Sequence, residues 1–286
     1  MKKPAVTILM AVHNSMSTLD VAIRSIRNQT FDAWELLLVD DASKDNLHPY
    51  ISQLDDQRIR LVRNSSNLGL ATSLNCGIDL VESPYIARMD ADDVCYPRRL
   101  EIQYDYLRNH QRVDVVGSNA LAFENSGNAL GVMTAAESHE LIWRARLRGA
   151  FPLFHPTWMG KTGWFRQHKY DPCFLKAQDY ELLLRAAPSS SYANIGKILL
   201  GYRFDQSSLR KRLKTRRYVL MALAKNSRMD RGDIDFWSGA LMTCAKLIGD
   251  VVFAARKTTL TEKLRLMPVS PHEIEVWKEV WRMATS

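Results

Sequence analysis

At 286 residues the chain can hold one large α/β domain, or a domain of roughly 200 residues with an extension. Its 46% apolar and 24% charged residues exclude a disordered or collagen-like chain. The net charge of +8 is unevenly placed: residues 1–200 carry 22 Lys+Arg against 22 Asp+Glu, while 201–286 carry 17 against 9, which reads as a basic surface for an acidic partner or as a solvated helical face.

In chain order, Val6–Val12 is continuously apolar and partly β-branched, as suits a strand covered on both faces. With Met1-Lys2-Lys3 ahead of it the segment resembles the start of a signal peptide, but it is short and runs into His13-Asn14 with no small-residue cleavage site, so it reads as a buried strand. Ser17 or Thr18 is expected to cap a helix carrying Leu19, Ile23 and Ile26. Glu35–Val39 is a second buried strand, ending at Asp40-Asp41. A short helix, a strand over Ile59–Val62, the turn-rich Asn64–Gly69 and a helix from Leu70 to Val81 follow. Tyr85–Met89 is the fourth strand. This alternation implies parallel strands with right-handed crossovers, an open doubly wound sheet whose ligands bind beyond the carboxyl ends of the strands. His13-Asn14, Asp40-Asp41 and Asp90-Asp92 stand at those ends. No Gly-x-Gly-x-x-Gly follows the first strand and no P-loop occurs, which argues against a dinucleotide oxidoreductase and a P-loop NTPase.

Asp90, Asp92 and Asp93 place three carboxylates within four residues, and like charges this close repel. A hard divalent cation would relieve the repulsion and share itself with substrate phosphates; a solvated acidic loop is the other reading. Pro97 suits the first turn of a helix that includes Leu100, Tyr104 and Leu107. Val113–Ser118 reads as a strand, Glu124–Gly131 as a turn, Glu137–Arg148 as a helix and Phe154–Met159 as extended. Ala177–Arg185 opens a helix with acidic residues at its start. Helices alone follow: one with Arg210, Lys211, Arg212, Lys214, Arg216 and Arg217, capped at Ser207 or Ser208; one capped at Asp233 with Trp237, Leu241, Cys244, Ile248, Val251 and Ala255 in a stripe; and one opened by the capping box Ser270-Pro271-His272-Glu273, with Ile274, Trp277 and Trp281 on one side. Phe236–Ala255 holds Lys246 and Asp250, so it is a poor membrane span. Cys76, Cys95, Cys173 and Cys244 form no Cys-x-x-Cys pair, which argues against zinc and a disulfide framework and for a reducing cytosol.

Val6–Asn14, Glu35–Asp45, Asn67-Leu68-Gly69 with Asn75 and Gly77, Tyr85–Asp93, His155-Pro156-Thr157, Gln178–Arg185 and Tyr202-Arg203 together resemble a family 2 glycosyltransferase with the GT-A fold, of the kind that builds bacterial exopolysaccharide, capsule or O-antigen. The resemblance covers roughly residues 4–205 and implies an α/β, open, mostly parallel catalytic domain over 1–205 with a basic helical region over 206–286. It implies a UDP-sugar donor, held by Ala11, Val12, Asn14, Asp40, Gly69, Asn75, Asp90 and Ala91, with Asp40 accepting from the uracil N3–H. It implies a divalent metal, Mn²⁺ or Mg²⁺, ligated by Asp92 with Asp90, and Asp179 as the general base of an inverting transfer; a helix N-terminal charge is the plain alternative for Asp179. His155 and Trp158 are candidates for the acceptor or diphosphate, packing being the alternative for both, and Trp164 for sugar stacking. Gln178 stands where many relatives carry Glu, and Ala11 where many carry Pro.

The acceptor is expected to be a saccharide, lipid-diphosphate-linked, and the protein cytoplasmic. The basic C-terminal helices either dock it on the inner membrane or pack on the catalytic domain or form a homodimer. Nucleic acid is not an expected partner, because an acidic crevice repels a phosphate backbone. A nucleotidyltransferase and a non-catalytic nucleotide-sugar binder are the rival classes.

Overall fold

Val6–Val12 and Trp34–Asp40 carry side chains that are almost all apolar, and such runs are stable where both faces of a strand are covered. In the computed structural model, which describes residues 3–145, 153–204, 209–226, 234–255 and 266–286, they are the neighbouring parallel strands β1 and β2. β3 (Ile59–Arg63), β4 (Tyr85–Arg88), β5 (Val94–Cys95), β6 (Val115–Phe123), β7 (Ala129–Met133), β8 (Met159–Lys161) and β9 (Tyr192–Arg203) complete one sheet. Their order is β3-β2-β1-β4-β8-β6-β9-β5, with β7 beside β6. The run β3-β2-β1-β4 is parallel, β8 is antiparallel to both β4 and β6, and β6 and β9 run parallel.

Alternation along β1 explains the two layers. Ile8, Met10 and Val12 join Leu19, Ile23 and Ile26 of α1 (Met16–Arg27), Leu47 of α2 (Leu47–Gln53) and, further along the same face, Leu100 and Leu107 of α4 (Arg99–Asn109). Leu9, Leu37 and Val39 face Leu74 and Ile78 of α3 (Leu70–Leu80), in one cluster with Ile142 of α5 (His139–Ala145), Phe165 of α6 (Thr162–Gln167) and Leu182 of α7 (Gln178–Ala186). A Cβ on Gly77 would stand 2.3 Å from Leu9 Cδ1, so this glycine lets α3 lie close on the sheet.

Local details differ from expectation. The N-cap position of α1 is Ser15, ahead of Ser17 and Thr18. Pro97 precedes α4 rather than opening it, because β5 pairs with β9 and keeps the chain extended up to it. Helical residues of Glu137–Arg148 are described as α5, and the remainder lies outside the described residues, as do Ser207, Ser208 and Asp233.

The C-terminal helices are α8 (Leu209–Asn226), α9 (Ile234–Ala255) and α10 (Pro271–Thr285). Val219, Ala222 and Leu223 of α8 pack on Tyr180 and Leu184 of α7 and on Phe174. Ser270 caps α10 by accepting from the Glu273 N–H at 3.2 Å, as its motif predicts. Trp277 of α10 is buried against Tyr96 and Phe123, and its Nε1 donates to the Gly127 carbonyl at 2.7 Å. A boundary after residue 205 therefore cuts two apolar clusters, because α8 packs on α7 and α10 packs on Tyr96, Leu121 and Phe123. The α9 stripe differs: Trp237, Leu241 and Ile248 are 67%, 72% and 62% exposed. Among the described residues no helix is long and apolar enough to cross a membrane.

Candidate active site

Parallel neighbours β2 and β1 end side by side, Val12 opposite Asp40, and β4 ends three residues lower, Arg88 opposite Leu9, so the loops that leave all three lie at the same edge of the sheet. Ala11 and Val12 close β1; Asn14 follows in the left-handed region at φ 53. Its N–H donates to Ser43 Oγ at 3.0 Å and its side-chain oxygen accepts from the Lys44 N–H at 2.8 Å, so the first two loops brace each other.

Asp40 and Asp41 have taken structural duties. Asp40 is buried; its carboxylate accepts from the Ser43 N–H at 2.9 Å and pairs with Arg63 at 3.0 Å, so it braces the loop after β2. Asp41 accepts from the N–H groups of Leu68 and Gly69, both at 2.8 Å, and from Asn64. Burial pushes its carboxyl up, but these donors outweigh burial and hold it below the usual range. Gly69, at φ +83, is the N-cap residue of α3 and adopts a conformation that favours glycine. The Asn75 amide is engaged at both ends by the Tyr170 backbone, at 2.8 and 2.9 Å, and fixes that loop against α3.

The acid loop follows β4. Asp90, Asp92 and Asp93 bring ligand oxygens within 4.8 Å of one another, and Ala91 between them is buried. Surrounding protein and then the Asp90 charge push the Asp92 carboxyl up to about 6, although one side of the residue faces solvent. Asp93 is buried, raised by burial and then by Asp92 and Asp90; one oxygen accepts from the Arg203 N–H at 3.0 Å and the other finds no donor among the described residues. Hard carboxylate oxygens this close, one of them unpaired, fit a divalent cation.

Arg88 is the cation beneath this loop. It is buried and donates from Nη2 to Asp90, while its Nε and Nη1 find no acceptor among the described residues. Its charge acts on Asp179, Tyr170 and His155 as well. Asp179 lies in the first turn of α7, after Ala177 at φ 55, and burial pushes its carboxyl up to about 6 against the pull of the Tyr180 N–H and Arg88. The Asp90 charge also raises the Asp179 carboxyl, so the acid loop and the start of α7 lie within electrostatic reach of each other. His155 Nε2 and Tyr170 Oη share a hydrogen bond of 2.7 Å, and burial, then Arg88, hold that imidazole neutral. Trp158 is 0% exposed and Trp164 5%, so both are core residues with no ring face for a sugar. Glu181, the second acid of α7, is buried and paired with Arg185 and Lys225.

Sequence reasoning missed Arg88, Tyr170 and the role of Arg203, whose Nε donates to the Asp92 carbonyl at 2.8 Å. An arginine inside an otherwise apolar strand was the available signal for Arg88.

Residues 7–168 match the family model described as Glycosyl transferase family 2. An uncharacterized glycosyltransferase of Methanocaldococcus jannaschii is 29% identical over 252 residues, 83% of this chain and 85% of that protein. An O-antigen biosynthesis glycosyltransferase of Escherichia coli, WbnJ, is 29% identical over 216 residues, 72% and 82% of the two chains. The solved structure of S. aureus TarS residues 1–349 in complex with UDP-GlcNAc superposes with a TM-score of 0.61 at 13% identity, covering 98% of this chain and 81% of that one. The likeness establishes a shared GT-A fold.

Proposed function

The chain belongs to glycosyl transferase family 2, and from that premise we propose that it transfers a hexose or N-acetylhexosamine from a UDP-sugar, with inversion, to a saccharide carried on lipid diphosphate during bacterial surface-polysaccharide synthesis. One observation carries the reading: Asp90, Asp92 and Asp93 bring ligand oxygens within 4.8 Å of one another at the end of β4, within electrostatic reach of Asp179. The O-antigen role of WbnJ and the UDP-GlcNAc bound by TarS support the pathway and the donor.

Asp92 and Asp90, with Asp93 behind them, are the side chains that would hold Mn²⁺ or Mg²⁺, and a cation bound there would stabilise the charge developing on the departing diphosphate. The edge formed by Ala11, Val12, Asn14, Gly69 and Ala91 receives the nucleotide. Asp179 accepts the proton of the attacking hydroxyl, and a carboxyl near pH 6 remains a competent base at neutral pH. Glu181 is buried in ion pairs, which leaves α7 one carboxylate at the crevice and favours a single displacement. His155, neutral and tied to Tyr170, orients the acceptor side. The exposed α9 stripe, beside the basic α8, is the surface that meets an anionic bilayer.

Hydrolysis of UDP-, GDP- and dTDP-sugars with Mn²⁺ and with EDTA tests the assignment. Metal-dependent release from UDP-sugars is expected, and metal-independent release, or none, contradicts it. Co-sedimentation with phosphatidylglycerol vesicles should be lost in Trp237→Ser/Leu241→Ser; retention of binding, or a dimer that the variant breaks, removes the membrane role.

A further inference from the structure

Side chains along β4 alternate between the two faces of the sheet. Ala87 and Met89 join the α1 side, while Ile86 packs with Trp158, Tyr170, Leu182 and Leu183 on the α7 side, so Arg88 points into that second layer. Asp179 lies one turn before Leu182 and Leu183, on the same face of α7. Strand and helix thus direct a guanidinium and a carboxylate into one layer. Two buried arginines meet here, and they differ in how their donors are used. Arg99 spends all three nitrogens, on Gln103, on Cys95 Sγ and on the Arg88 carbonyl. Arg88 spends only Nη2, on Asp90, and leaves Nε and Nη1 without an acceptor among the described residues. A buried donor left unpaired costs stability, so packing alone does not account for this arginine.

We infer that Arg88 is a positioning residue for the transfer: Asp90 anchors one end of its guanidinium, and the charge on the unspent end holds the Asp179 carboxylate as an anion at the start of α7. The assignment rests on the glycosyltransferase reading above, in which Asp179 is the base, and names what keeps that base usable. The groups around Asp179 support it. Asp90 of the acid loop opposes its charge, Tyr170 of the preceding loop is kept neutral by burial, and so is His155. On α7 and α8, Arg185 and Lys225 are paired with Glu181. Arg88 is the cation among these whose buried donors are unspent among the described residues, and its charge acts on Asp179 against burial. Because it is buried, it acts through Asp179 and not by touching the sugar.

The test follows the titration of Asp179 in full-length protein in EDTA, by infrared difference spectroscopy of the protonated-carboxyl band that Asp179→Asn removes. Loss of a neighbouring positive charge disfavours the carboxylate, so in Arg88→Met this band should persist to a pH at least about one unit higher than in the wild type. Arg88→Lys, which keeps the charge, should restore most of the difference. With saturating Mn²⁺ and UDP-sugar, the acid limb of hydrolysis by Arg88→Met should move up by the same interval, while UDP affinity stays within a factor of about 3. If Arg88→Met does not fold, Arg88→Gln supplies the neutral side chain. An unmoved titration in the neutral variant overturns the assignment, whether or not its melting temperature falls, because Arg88 would then be a packing residue like Arg99. So does a titration that moves but that Arg88→Lys leaves displaced, since shape and not charge would be responsible. Hydrolysis of UDP-sugar by the wild-type protein with Mn²⁺ reports separately on the glycosyltransferase reading: a shifted band without hydrolysis leaves the link between Arg88 and Asp179 standing and the activity in error.

Discussion

The backbone N–H of Arg203 donates to the carboxylate of Asp93 across 3.0 Å, joining the end of β9 to an acid loop 110 residues earlier. The same residue donates from Nε to the Asp92 carbonyl at 2.8 Å and lays its guanidinium over Phe123. β9 thus holds the loop that carries the proposed metal ligands, while Arg88 compensates it from below.

Removing this outer support loosens the ligands without removing them. Arg203→Ala keeps the backbone N–H on Asp93 but removes the Nε donor that fixes the Asp92 carbonyl, and is expected to weaken Mn²⁺ binding by roughly tenfold, the lower end of the range seen when partners behind metal ligands are lost. A manganese titration followed by electron paramagnetic resonance reads this directly. An unchanged affinity would mean that the loop is rigid by itself.

Trp277 is the largest side chain that α10 buries, stacked near Tyr96 and Phe123. Trp277→Ala should cost about 3–5 kcal/mol in urea unfolding, by lost burial and the cavity left behind. A fragment ending at residue 205 lacks this helix and should expose the same cluster, seen as dye binding. A loss under about 1 kcal/mol, well below the core range, would make α10 a peripheral appendage.

The protonation of Asp179 sets a pH window. Its carboxyl, raised by burial to about 6, is ionised and able to accept a proton above that pH, and protonated and inert below it. Transfer at saturating metal and donor should be level near pH 7.5 and fall about tenfold per unit below pH 6. High metal offsets the loss of cation that protonation of Asp92 would cause. A flat profile down to pH 5 would assign the proton to another group.

The central strands were legible because a continuous apolar run has few other ways to be buried, and β1, β2 and β4 fall where Val6–Val12, Glu35–Val39 and Tyr85–Met89 predict. The acid loop was legible for the opposite reason, since Asp90, Asp92 and Asp93 gain nothing from adjacency alone. What the chain order hides is which partner a polar group finds. Asp40 stands at a strand end with no visible partner in the chain order, and the fold gives it Arg63 and Ser43. Trp158 looks like a sugar platform until the sheet closes over it. Arg88 and Tyr170 acquire roles only when β4, α7 and the loop before it converge, which no local pattern announces. Helix periodicity gave the stripes of α9 and α10 alike, yet one is left exposed and the other is buried.

Asp179→Asn separates chemistry from binding most directly, because the amide keeps the shape and loses the basicity. Transfer to acceptor should fall at least a hundredfold, in line with the loss of a general base, while UDP affinity in the presence of Mn²⁺ stays within a factor of about 3. Transfer at a rate close to that of the wild type would contradict the account, since no other carboxylate of α7 stands free to take the proton.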